Sequence, residues 1–258
     1  MANRRTTFLF ALAICIIVAG CKGSPASDMT PANSTAVGEE KPTKSVVDPV
    51  AKELMDLIKE QRSPDIGSYV TFGIYEQDNL TGNGAEEIEW LVLDKEEDKI
   101  LLLSRYALDS QPYHSEGGNI TWENCSLRHW LNHVFYETAF ISEERDMILV
   151  SEIKADANPK YNTPAGKDTS DRIFLLSVDE VNRYFTKNGN GVCQITPYCQ
   201  KQGVSHDRGV CNWWLRTPGG SSDTASIANS QGWGNAGGAY VESKNFAVRP
   251  AIWVCINP

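Results

Sequence analysis

Two runs, IEWLVLD at 88–94 and KILLLSR at 99–105, are apolar at almost every position and are joined by KEED at 95–98. A strand with one face in water alternates apolar and polar residues; these do not, so both of their faces must be buried. Such strands belong in the middle of a sheet, and the acidic KEED reads as the tight turn of a hairpin between them. This hairpin limits the chain to folds that cover a sheet on both sides.

The flanking segments supply the remaining elements. In YVTFGIY (69–75), Val70, Phe72 and Ile74 alternate as in a half-buried strand. A helix is expected over Pro49 to Gln61, capped by Asp48, with Val50, Leu54, Leu57 and Ile58 on one face. A second is expected over NCSLRHWLNHVFYETA (124–139), capped by Asn124 or Ser126. Its apolar stripe is Leu127, Trp130, Leu131, Val134 and Phe135, with Trp130 central and buried. SEERDMI reads as a short helix, and LVSEIKA and DRIFLLS as strands. Ser177-Val-Asp-Glu180 is a capping box opening a helix to about Lys187, ended by Asn188-Gly189. The last fifty residues are rich in Gly, Ser and Asn, with short strand-like pieces between turns. Helices early and short hairpins late indicate an α+β domain around an irregular antiparallel sheet. The 258 residues suffice for one substantial domain, expected over 65–258, with 49–64 as a short helix and lead-in.

The N-terminus concerns location. Arg4 and Arg5 precede an apolar run from Phe8 to Val18, the length of a signal-peptide core and too short to span a bilayer. The run ends in Val18-Ala19-Gly20-Cys21, which resembles a bacterial lipobox and implies a signal peptide over 1–20 and acylation of Cys21. The alternative is an ordinary secretory signal cleaved after Gly20. Residues 22–48 are rich in Ser, Thr, Pro and Ala and have little to bury, so 21–48 is expected to be a disordered tether; a coil of that length reaches roughly 30 Å. The expected partner is therefore a membrane, through the lipid, with the domain outside the cytoplasm at the cell envelope. A net charge of −9 without any Lys/Arg cluster argues against nucleic acid.

The stretch NWWLRTPGG (212–220) raises a choice between binding site and core. As a strand it sends Trp213 and Leu215 one way, Trp214 and Arg216 the other. Pairing with AVRPAIWV (247–254) would bury one Trp of each pair, worth roughly 4–6 kcal/mol gross for ~150–250 Å². Arg216 and Arg249 are then expected to tie loop carbonyls and carboxylates to the sheet, a structural role. Residues 221–246 would be loops on that base, and Asp223, Asn229, Trp233, Asn235 and Tyr240 are the candidate ligand-binding residues: aromatics to stack, Asn and Asp to make polar contacts with a glycan or peptide. In the competing reading the Asn and Gly residues only serve turns.

Several phrases in this order, IEWLVLD, TWENCSLRHWLN, DRIFLLSVDEVNRYF and NWWLRTPGG…FAVRPAIWV, resemble an uncharacterised bacterial domain family found on secreted and lipid-anchored proteins. No activity comes with that resemblance. The closing pattern is also similar to the end of the formylglycine-generating, sulfatase-modifying and C-type-lectin-like superfamily, which implies an α+β domain with long irregular C-terminal loops. Residues 234–250 lack the cysteine pair through which the formylglycine-generating oxidases bind copper. Gln111-Pro112-Tyr113 lacks the carboxylate of a calcium-dependent lectin loop. Neither cofactor nor metal is expected.

His129 and His133 have i, i+4 spacing but no glutamate between them as in a zincin helix, and read as solvated surface. Cys125, four residues before His129, reads as a buried thiol at a helix start. Among the cysteines after Cys21, pairing of Cys193 with Cys199 and of Cys211 with Cys255 are the options the sequence offers. The leading expectation is a lipid-anchored, non-catalytic ligand-binding module; an envelope enzyme with an unrecognised site and a structural envelope component are the alternatives.

Overall fold

A computed structural model describes residues 52–60, 62–185 and 191–257. The signal segment, Cys21 with its tether, the helix start at Asp48 and Pro49, and the helix end at Lys187 to Gly189 lie outside them. Along the chain run β1 (Lys52–Glu53), α1 (Leu54–Lys59), β2 (Tyr69–Tyr75), β3 (Glu86–Lys95), β4 (Lys99–Ser104) and β5 (Asp109–Ser110). Next come α2 (Ser126–Trp130), α3 (Tyr136–Ala139), α4 (Ser142–Met147), β6 (Ser151–Ile153), β7 (Thr169–Asp171), β8 (Ile173–Phe174) and α5 (Val178–Phe185). The rest is β9 (Cys193–Gln194), α6 (Pro197–Lys201), β10 (His206–Asp207), β11 (Val210–Cys211), β12 (Trp213–Pro218), β13 (Thr224–Ala228), β14 (Gly234–Tyr240), β15 (Ala247–Val248) and β16 (Ala251–Cys255). The class is mixed α+β, with several largely antiparallel sheets and short helices.

The apolar hairpin forms as its composition demands. β3 and β4 pair antiparallel, the Glu96 amide donates to the Lys99 carbonyl across the turn at 2.9 Å, and both strands are interior to a six-stranded sheet ordered β1-β2-β3-β4-β16-β8. Trp90, wholly buried, donates its indole N–H to the Phe72 carbonyl at 2.7 Å, so its polar atom is satisfied inside the core. A second sheet, ordered β14-β13-β12-β15-β5, is stitched to the first by two adjacent crossings. The chain leaves β4 for β5, and returns from β15 to β16; β4 pairs with β16 in one sheet and β5 with β15 in the other. A three-stranded ribbon, β10-β11-β9, and the pair β6-β7 complete the set.

Several expectations are corrected. The alternation in β2 breaks at Gly73, whose φ of +72° belongs to the left-handed region and where a Cβ would lie 2.6 Å from the Ala139 carbonyl oxygen. The register shifts there, so Ile74 turns outward, 45% exposed, and Tyr75 turns in. The 124–139 helix begins after a 3₁₀ turn at Trp122–Asn124, and its cap is Cys125, whose Sγ accepts the Arg128 amide at 3.4 Å; Ser126 Oγ instead accepts the Ser115 amide. Between α2 and α3 the helix widens into a π turn at Leu131–Phe135. That extra residue per turn aligns Leu127, Leu131, Phe135 and Ala139 at steps of four as the buried face. It leaves Trp130 half-buried and Val134 52% exposed. Towards the N-terminus, β1 occupies Lys52–Glu53, beside β2 and parallel to it, so α1 starts only at Leu54.

The remaining corrections lie at the C-terminus. NWWLR and AVRPAIWV pair as strands only at Trp213 and Ala247, in parallel, because β16 belongs to the six-stranded sheet. Both Trp213 and Trp214 are wholly buried rather than one of them, since the second sheet is covered on both faces. Residues 221–246 are a β-hairpin, β13 and β14, rather than loops.

Because Trp90 is fully enclosed and Trp130 is not, Trp90→Ala should cost about 3–5 kcal/mol by leaving a cavity, and Trp130→Ala clearly less. Urea unfolding of both variants tests the order; a Trp130→Ala loss equal to that of Trp90→Ala would refute the π-turn account.

Candidate functional site

The β13–β14 hairpin carries the five residues the sequence nominates, and the structure divides them. Ala228 pairs with Gly234 and Thr224 with Tyr240, so Asn229 and Trp233 sit at the hairpin tip and Asp223 and Tyr240 at the opposite end, with Asn235 one residue inside the tip. At ~3.3 Å per residue the strand separates Trp233 from Tyr240 by roughly 20 Å. Both rings are exposed, Trp233 at 48% and Tyr240 at 63%. They do not form a single ring around one small ligand.

The polar candidates are partly committed to the backbone. Asn229 Oδ1 accepts the amides of Gln231 and Trp233, each at 3.0 Å, which shapes the tip and orients Trp233. Asn235 Oδ1 accepts the Gly237 amide at 2.9 Å, and Asp223 accepts the Ser221 hydroxyl while its carbonyl accepts the Val241 amide at 3.1 Å. These oxygens hold turns. What the hairpin offers a ligand is two aromatic faces and side-chain amide donors.

A clamp invisible in the sequence makes the hairpin rigid. Asn158, 1% exposed, donates its amide to the carbonyls of Pro218 (2.7 Å), Gly219 (3.0 Å) and Ala236 (2.7 Å), while its Oδ1 accepts the amides of Lys160 and Tyr161. One side chain thereby joins the loop after β6, the end of β12 and the middle of β14. Below it, Trp214 donates to the Gln111 carbonyl at 3.0 Å and packs on Phe246, with ring centroids 4.7 Å apart.

Arg216 and Arg249 are both buried. Arg216 makes a two-pronged ion pair with Glu180, with Nη2 to Oε1 at 2.9 Å, and donates to the Leu175 carbonyl at 2.8 Å. Glu180 also accepts the Ser177 amide at 2.8 Å, and Ser177 Oγ accepts the Glu180 amide at 3.1 Å, so the capping box of α5 and the sheet share one carboxylate. Arg249 Nε donates to the Ser104 carbonyl at 2.8 Å, with the guanidinium 5.1 Å from the Trp213 ring centroid. Both guanidinium groups thus bond to carbonyls or carboxylates of the fold.

A polar cleft of about 620 Å³ lies elsewhere, at the N-terminal end of α2. His114, Cys125, Arg128, His129, His133 and Arg172 line it, and the His129 and His133 rings are 4.2 Å apart. Residues as distant in sequence as His114 and Arg172 meet there only because β7 packs beside the helix, so sequence reasoning found the helical pair alone. The cleft is mostly architecture: Arg128 Nε pairs with Asp171 at 2.6 Å, Asp171 also accepts the Trp122 indole at 2.9 Å, and His114 Nδ1 accepts the Ser126 amide at 3.3 Å. Burial pushes the Cys125 thiol up to about 12, so it is not a thiolate nucleophile near neutral pH. The carboxylates of Glu76, Asp78 and Glu86 approach within 4.8 Å of one another, but Glu86 Oε2 already accepts the Gln77 and Asp78 amides and thereby shapes that loop. Among the described residues no helix is long and apolar enough to cross a membrane.

Compared with known proteins, residues 97–256, more than half of the chain, match the model of a family described as a domain of unknown function, DUF6273. No curated protein and no solved structure matches.

Removing the clamp takes a donor from three carbonyls, of which those of Pro218 and Ala236 keep the Ser226 hydroxyl. Asn158→Ala is expected to destabilise the domain by about 1–3 kcal/mol and to speed hydrogen exchange in β14 ahead of β3 and β4. Uniform exchange across all three strands would show that Asn158 supports the whole fold rather than the hairpin.

Proposed function

From the premise that the chain belongs to the DUF6273 family, we propose that it is a bacterial lipoprotein, anchored through Cys21, whose domain is a non-catalytic binding module for an extended glycan or peptide at the cell envelope. The observation that carries the binding reading is the pair of exposed aromatics, Trp233 and Tyr240, at the two ends of one clamped hairpin. An exposed tryptophan costs a soluble domain apolar surface in water, and it is oriented here by the Asn229 turn rather than packed away. Two stacking faces roughly 20 Å apart along a strand suit a chain-like ligand that touches both. The enzyme reading is weaker, because the cleft that gathers histidines holds its cysteine buried and protonated and spends Arg128 on Asp171.

The anchor reading rests on the apolar run and Val18-Ala19-Gly20-Cys21. More than one acyl chain gives stable membrane attachment where a single chain is marginal. Roughly 30 Å of tether would then hold the domain off the surface.

Two experiments test the two halves. Cys21→Ala should leave an uncleaved precursor or release the protein from the membrane fraction; mature-sized variant remaining in the membrane pellet sinks the anchor. On an array of surface glycans and peptides, Trp233→Ala and Tyr240→Ala should each keep the native thermal midpoint. Each should weaken binding by about 5- to 150-fold, the equivalent of ~1–3 kcal/mol by analogy with aromatic–base stacking. Folded variants that bind like the parent place the site elsewhere.

A further inference from the structure

Five cysteines fall among the described residues, and each stands as a free thiol. Neither pairing suggested by the sequence matches the topology. Cys199 lies in α6 and donates its thiol to the Asp109 carbonyl at 3.1 Å, and Cys255 lies on β16 opposite Lys99 in the six-stranded sheet. Cys125 caps the helix over the cleft. The thiols that face each other are Cys193 and Cys211, directly opposed partners in the antiparallel pair β9–β11, both buried, with the Cys211 Sγ 3.7 Å from the Cys193 carbonyl oxygen.

Directly opposed residues of an antiparallel pair place their side chains on the same face with Cβ atoms about 4.5–5.5 Å apart. A disulfide spans a Cβ–Cβ distance of about 3.5–4.5 Å and a Cα–Cα distance of about 4.4–6.8 Å, so only a small closing movement is needed. From this register we propose that Cys193 and Cys211 are a covalent modification site, closing a cross-strand disulfide by exchange with a disulfide donor, either a low-molecular-weight disulfide or a disulfide oxidoreductase. The inference is independent of the glycan or peptide reading.

The chemistry balances in two steps. The Cys193 thiolate attacks one sulfur of the donor disulfide, forming a mixed disulfide and expelling the donor's other sulfur as thiolate. Cys211, giving up its proton, then attacks the Cys193 sulfur and releases the second donor thiolate. Two protein thiols are oxidised, one donor disulfide is reduced to two thiols, and the protons pass to solvent or the departing thiolates. The same balance holds with the two cysteines exchanged, because the first attack precedes the packing that makes their surroundings differ. Both sulfurs are shielded in the folded domain, so the first attack belongs to folding, before β9 docks on β11; the second follows as the two strands pair, and the closed bond is afterwards protected from reductants.

The bond would tie the segment that follows α5 to the strand leading into β12. The test uses the full chain in detergent, unfolded under reducing conditions and refolded with oxidised glutathione. Free thiols are then alkylated, and the protein is digested with chymotrypsin and trypsin. Cleavage after Tyr198, Lys201 and Arg208 separates Cys193, Cys199 and Cys211 onto different peptides. The expected product joins the Cys193 and Cys211 peptides, with Cys125, Cys199 and Cys255 alkylated. Reduction should lower the thermal midpoint by roughly 5–12 °C, a shift missing from Cys193→Ser. All five thiols alkylated in protein that has regained its native circular dichroism, or any other cross-linked pair, overturns the proposal.

Discussion

Arg249 sits where the two main sheets are joined, and its hydrogen bonds hold the backbone at that junction. Ala247 and Val248, just before it, pair with β5 in the second sheet, while Ala251 to Cys255, just after it, pair with β4 in the first. At the bend the guanidinium donates to the Ser104 carbonyl at the end of β4 and lies over the Trp213 ring. A bend between sheets leaves backbone carbonyls without ladder partners inside the protein, where an unpaired acceptor is costly. Arginine suits the place because it carries five donors and no acceptor, and its flat face packs on an aromatic ring. Pro250, with no amide hydrogen to satisfy, follows at the same bend.

The second sheet relies on the same device at other points. Arg216 draws Glu180 and the Leu175 carbonyl to β12, which docks α5, and Asn158 binds the end of β12 to β14. Polar side chains inside the fold thus serve as connectors for irregular backbone, and among the described residues no buried side-chain nitrogen or oxygen is left without a partner. The rigidity they confer reaches the hairpin, where Trp233 and Tyr240 stand in solvent. A stacking surface loses less entropy on binding when the strand beneath it is already fixed.

The candidate site was legible in the sequence only in part. Trp233 and Tyr240 were identifiable as aromatics in a Gly- and Asn-rich stretch, and both are exposed. Their separation was not, because GWGNAGGAY looks like loop until a partner strand is supplied. Asn158 lies sixty or more residues before the carbonyls it holds, and no local pattern announces it. The meeting of His114 and Arg172 with the helical histidines was hidden for the same reason: sequence periodicity reports which face of one element is apolar, not which other element lies against it.

What the sequence determined by itself is local. The doubly apolar runs at 88–94 and 99–105 had to be interior strands, and Ser177 to Glu180 had to open a helix, because side-chain alternation and capping act within a few residues. Tertiary structure alone decided the rest. The π turn that turns Val134 outward, the bulge at Gly73, the burial of both Trp213 and Trp214, and the opposition of Cys193 to Cys211 each depend on contacts between distant segments. Packing density and register are properties of paired surfaces, and a one-residue shift in either surface reverses which side chains are covered.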